Sequence, residues 1–187
     1  MKCINFDRAF ERYMAGWMKE NSEKYKDDMD VIEDMMPDVY LEFLQKPADF
    51  LDGVAPQNYF EQFDDADMLV GWLCDYIAQG VPVPDLLLER ITSLGESAEK
   101  SLLALLDRTD LPEETEMTVV SLLREMESQA PMQRYIDFIA SLEEPSDKGD
   151  LCAEALLTGK PAKDAQGNTI AVFAMPPNEA AVVLRVQ

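Results

Sequence analysis

Histidine is absent from this chain of 187 residues. Its absence excludes Ser-His-Asp and Cys-His catalysis in their usual forms, HExxH zinc sites and His-containing di-iron bundles. It also leaves no side chain whose unperturbed pKa lies near neutrality. Basic residues are scarce: 16 Lys and Arg stand against 37 Asp and Glu, a formal net charge of −21. A surface this negative repels nucleic-acid phosphates and anionic membranes alike, so neither is an expected partner. A basic protein partner fits better, and self-repulsion should cost stability at low ionic strength. Cysteine is nearly missing too. Cys3, Cys74 and Cys152 are odd in number and far apart, which is neither a disulfide framework nor a zinc spacing. A reducing cytoplasm is the expected compartment.

No run approaches the roughly 18 apolar residues that span a bilayer. After Lys2 the chain reads Asn5, Asp7, Arg8, Glu11, so no apolar leader region is expected. GxGxxG, Walker A and GxSxG motifs are all missing. No cofactor and no catalytic residue are therefore expected.

What is present is helical periodicity. Asp7 is the expected N-cap of a helix whose stripe is Phe6, Phe10, Tyr13, Met14 and Trp17. A second pattern carries Met29, Ile32, Met35 and Met36 up to Pro37, and Asp38 opens another with Tyr40, Leu41, Phe43 and Leu44. Pro47, Gly53 and Pro56 predict turns and one-turn helices. From Asp65 the pattern is regular, with Gly80 at the C′ position of its first helix. Starts follow at Pro84-Asp85, Pro112 and Pro131, and Ser146 with Asp147 caps a last helix that ends at Gly159. The tail changes period: Thr169 to Met175, a Pro176-Pro177-Asn178-Glu179 turn, and Ala180 to Val186 read as a β-hairpin. Such a ribbon must pack on the helices or pair with a second chain, giving a homodimer through the C-terminal strands.

Apolar residues recur every 32 positions: Leu87, Val119, Leu151; Leu88, Val120, Cys152; Ile91, Leu123, Ala155. Ala66, Ala98, Ala130 and Ala162 keep the same step. That period predicts stacked helix pairs. Leu94-Gly95-Glu96-Ser97-Ala98, followed by Leu102, Leu103, Leu105 and Leu106, resembles HEAT-like α-solenoid repeats over roughly residues 66 to 160. In the later copies Glu127 replaces the glycine and Gly159 restores it. The resemblance implies antiparallel helix pairs and protein binding. Alkylpurine glycosylases of that fold use basic grooves, which this chain lacks. A second likeness runs through Phe43-Leu44, Pro47, Leu51, Gly53, Pro56, Val70, Leu73, Ile77 and Gly80. These residues resemble the toxin-binding module of Xre/MbcA/ParS-type antitoxins, with Phe43 in place of Trp and Asp52 in place of one Gly. No helix-turn-helix precedes them.

Ser97-Ala98-Glu99-Lys100 matches SxxK, but the SDN and KTG elements are missing and Ser97 suits a helix N-cap. Asp27, Asp30 and Asp34 share a helix face, where oxygen ligands could hold a hard cation weakly. Asp64, Asp65 and Asp67 form a second acidic group; no EF-hand loop spacing exists, and a solvated helix face or an N-cap is the favoured reading of both groups. Among the aromatics crowding the N-terminal half, Trp17, Tyr40, Phe43 and Trp72 are candidate anchors for a partner.

The expected architecture is all-α. Aromatic-rich helices (1–64) cap a short HEAT-like array (65–160), followed by the hairpin tail (161–187), all as one continuous unit. The expected function is a non-enzymatic interaction module with an acidic surface. The alternatives are a carboxylate-based metal or small-ligand protein and an antitoxin-like regulator.

Overall fold

The computed structural model describes residues 3–21, 29–158, 162–163, 169–173 and 182–185. The described body is helical, as the all-α expectation requires. Two compact units divide the chain at Arg90 and Ile91.

In the first unit, α1 spans Phe6–Asn21 and α2 Met29–Gln45. The cap of α1 is Asn5, whose Oδ1 accepts from the Arg8 N–H at 2.8 Å. Asp7, the expected cap, lies in the first turn, where its charge faces the positive end of the helix dipole. The break expected at Pro37 does not occur, and α2 runs straight through it. Pro37 removes one helical hydrogen bond, but both Pro37 and Glu33, whose carbonyl is freed, lie on the exposed face. Water can satisfy that carbonyl while Ile32, Val39 and Phe43 bury the opposite stripe.

Three single turns of 3-10 helix follow, Asp49–Leu51, Pro56–Asn58 and Phe60–Gln62. Between the first two, Asp52 and Gly53 both take positive φ (54° and 84°). Helix α3 (Ala66–Ala78) starts where Asp65 Oδ1 accepts from the Met68 N–H at 3.0 Å. It ends in a Schellman motif, with Gly80 N–H on the Ile77 carbonyl and Val81 N–H on that of Tyr76. The fully buried Tyr76 reaches back to Ile4, and Phe60 touches both Phe6 and Trp72. This shared aromatic core explains why α3 belongs to the first unit.

Helix α4 (Asp85–Ser93) carries the unit boundary. The second unit holds α5 (Glu96–Leu106), α6 (Glu113–Glu125), α7 (Met132–Ser141) and α8 (Asp147–Thr158). Ser97 is not a cap. It lies inside the first turn of α5, donating to the Leu94 carbonyl at 3.0 Å, while Gly95 (φ 57°) occupies the cap. Thirty-two residues on, Glu127 takes φ 53°. It closes α6 with the same Schellman bonds as Gly80: its N–H meets the Arg124 carbonyl and the Ser128 N–H that of Leu123. Ser146 Oγ caps α8 by accepting from the Gly149 N–H at 3.1 Å.

Polar clamps join these helices. Lys148 and Arg124 pair α8 with α6 through Glu116 and Glu154. Arg134 reaches Asp107 and the Leu106 carbonyl, and Ser128 donates to Glu99. Burial pushes the Cys152 thiol up to about 11, so it packs as a small neutral hydrophobe. The alanines of the 32-residue step occupy unlike settings: Ala98 is buried in α5, Ala130 is exposed before α7, and Ala162 lies in a strand. Beyond α8, Ala162–Lys163 (β1), Thr169–Phe173 (β2) and Val182–Arg185 (β3) pair antiparallel in that order within the chain. Gly159 and the expected turn at 176–179 lie outside the described residues.

Candidate functional site

Helix α1 alternates aromatic and acidic residues at one-turn spacing: Phe6-Asp7, then Phe10-Glu11. Residues four apart in a helix are neighbours on one face, so a ring pair and a carboxylate pair run side by side. Phe6 is buried. Phe10 meets α2, with its ring 5.0 Å from Tyr40 in a T-shaped contact and 5.4 Å from Phe43. Val83, Pro84, Asp85 and Leu86 at the start of α4 complete the wall. The result is a cleft of about 440 Å³ within the first unit, a size that suits a small ligand or a single large side chain.

The chemistry of this cleft is two-sided. Phe43, 4% exposed, lies in its base, while Tyr40 keeps 42% of its surface in solvent. Asp7, Glu11 and Asp85 line the same space, and no salt bridge among the described residues engages any of the three. Burial, and after it the charges of Asp85, Asp7 and Glu89, raise the Tyr40 phenol above its ordinary range. Carboxylates confined beside low-dielectric walls focus a negative potential. The cleft therefore attracts a cation with an apolar stem and rejects anions.

A second groove, between α6 and α8, is wider and more open, about 780 Å³. Glu113, Glu114 and Asp147 line it with Met117, Thr118 and Ser146. It has acids but no aromatic face.

Of the anchor candidates, Tyr40 and Phe43 come together in the cleft. Trp72 packs edge-on against Phe63 at 4.7 Å, and Trp17 is half-buried further along α1; neither lines the cleft. Asp30 and Asp34 are exposed on α2, and Asp27 lies outside the described residues. Among the described residues no group of three or more acidic or cysteine side chains is placed to hold a metal. Asp64 pairs with Arg90 and Asp65 caps α3. Ser97 and Lys100 are both exposed.

Comparison with protein-family models, curated proteins and solved structures returns no match. Asp7, Glu11 and Asp85, which line the cleft, are not among the site candidates that the sequence offers. The doubled aromatic-acid pair on α1 was a usable signal for the first two; Asp85 arrives by tertiary packing, and no local pattern marks it. No helix among the described residues is long and apolar enough to cross a membrane.

Proposed function

We propose that the protein is a non-enzymatic interaction module that holds a basic protein partner. The observation that carries this reading is the cleft of α1, α2 and the α4 start, where exposed Tyr40 lies among the carboxylates of Asp7, Glu11 and Asp85. Interfaces gain most from aromatic anchors that binding desolvates fully, and charge complementarity favours partner choice and association rate. Affinity capture at low and high salt tests it. A basic partner retained at low salt and released at high salt is expected; no protein partner at either salt would rule the reading out.

As scaffold, we read residues 65–160 as degenerate HEAT-like helix pairs. Support comes from Leu87, Val119, Ile91 and Leu123, all buried on α4 and α6, and from matching positive φ at Gly95 and Glu127. A second reading is an antitoxin-like regulator. It draws on the buried Phe43, Leu51, Pro56, Val70 and Leu73, and on positive φ at Asp52-Gly53 where the resemblance calls for paired glycines. Co-purification with the product of a neighbouring gene tests that alternative.

A further inference from the structure

We propose that the cleft between α1, α2 and the start of α4 recognises arginine: one Arg side chain from an extended basic segment of the partner lies against Phe10 and Tyr40 while Asp7, Glu11 and Asp85 accept its N–H groups. The inference rests on the reading of the protein as an acidic interaction module and names what that module grips.

Three features favour arginine. A guanidinium is planar and weakly hydrated, so it stacks on rings at less cost than an ammonium. It carries five N–H donors, enough for three carboxylates approaching from α1 and the α4 start, whereas lysine offers three on a compact head. Its aliphatic stem can lie along Phe43, Leu44 and Leu86, which also line the cleft. The same cluster already receives a cation one turn away, where Lys46 Nζ sits 5.3 Å from the Tyr13 ring centre. Charge complementarity is local, since no described cation pairs with Asp7, Glu11 or Asp85. The α6–α8 groove has as many acids but no ring, which makes it an internal control.

The test is direct binding of short fluorescent peptides to the full chain: an arginine–glycine repeat, its lysine counterpart, and arginine amide alone. The arginine peptide is expected to bind several-fold tighter than the lysine peptide. Tyr40→Leu should weaken it about fivefold, while Tyr40→Phe, which keeps the ring, should not. Neutralising the cleft with Asp7→Asn, Glu11→Gln and Asp85→Asn together should weaken it about tenfold or more. The matched triple Glu113→Gln, Glu114→Gln and Asp147→Asn should change it less than about twofold, although it removes the same net charge. Thermal melts of every variant check folding, and the ring-preserving Tyr40→Phe keeps the test decisive if Tyr40→Leu is unstable.

Equal binding of arginine and lysine peptides would overturn the proposal, as would equal losses from the two charge triples. Both results would leave a general acidic surface and so spare the broader reading. Arginine amide binding as tightly as the peptide would also overturn it, by showing a small-cation site. If no basic peptide binds the wild-type chain even at low salt, the broader reading falls with it.

Discussion

Tyr76 and Ile4 are joined by two hydrogen bonds across 72 positions of sequence. The Tyr76 hydroxyl donates to the Ile4 carbonyl at 3.0 Å and accepts from the Ile4 N–H at 3.1 Å. A single buried phenol thus satisfies both backbone groups of one N-terminal residue and pins the chain beside α3 just before α1 begins. Phe6, two residues on, then falls into the aromatic core and sets the direction of the helix that carries Asp7, Phe10 and Glu11.

Removing that hydroxyl leaves two partly buried backbone groups unpaired. Tyr76→Phe is expected to cost about 1–3 kcal/mol of stability, read from denaturant midpoints. Exchange of the Ile4 amide should quicken beyond what the global loss explains. Unchanged stability with unchanged exchange would show that water replaces the phenol.

Glu127 holds a left-handed backbone that a side chain with a Cβ adopts only at a cost. Glu127→Gly should stabilise the protein by about 1 kcal/mol, because relief of that strain exceeds the added chain entropy of glycine. Glu127→Ala removes the same carboxylate but keeps the strain, so it should stay within about 0.5 kcal/mol of wild type. A gain from alanine equal to that from glycine would assign the effect to charge.

Lys148 lies under Glu116, with side chains 15% and 21% exposed, and over the Phe138 ring at 4.2 Å. Breaking a half-buried pair from one side strands the other charge. Lys148→Met and Glu116→Gln should each destabilise, and the double variant should lose less than the sum, with a coupling of about 1–2 kcal/mol. Additive losses in the double-mutant cycle would show that α6 and α8 hold together without the pair.

Buried phenols set the alkaline limit. Burial raises Tyr76 to about 12, and burial together with the Glu42 hydrogen bond and charge raises Tyr13 to about 12; the Tyr135 phenol is also pushed up, chiefly by burial. The unfolded chain ionises its tyrosines near pH 10, so above that pH it binds fewer protons than the folded chain and stability falls as pH rises. This contribution is complete below about pH 10 and is lost toward about pH 12. Denaturation midpoints should drop across that window while phenolate absorbance lags behind that of the unfolded chain. Phenolate appearing fully near pH 10 with the fold intact would contradict the burial.

Local signals in the sequence translated well. Asp65 and Ser146 cap their helices, Gly80 closes α3, and Pro112 and Pro131 stand at helix starts, because each acts through bonds within four or five residues. Elsewhere competing local choices misled. Asn5 outbid Asp7 as a cap, Gly95 displaced Ser97, and Pro37 was tolerated because its freed carbonyl faces water. The cleft was only half legible. Tyr40 and Phe43 were recognisable as aromatics and Asp7 and Glu11 as neighbours on α1, but Asp85 joins them through packing that no spacing encodes.

The proposed basic partner enters the aromatic-acidic cleft of the first unit. Hydrogen-exchange footprinting of the whole chain with a saturating arginine–glycine peptide tests it most directly. The expected result is protection confined to amides of α1, residues 40–44 of α2 and residues 83–86, with α6 and α8 unchanged. Protection centred on residues 113–121 and 146–151, or spread evenly over the acidic surface, would contradict it.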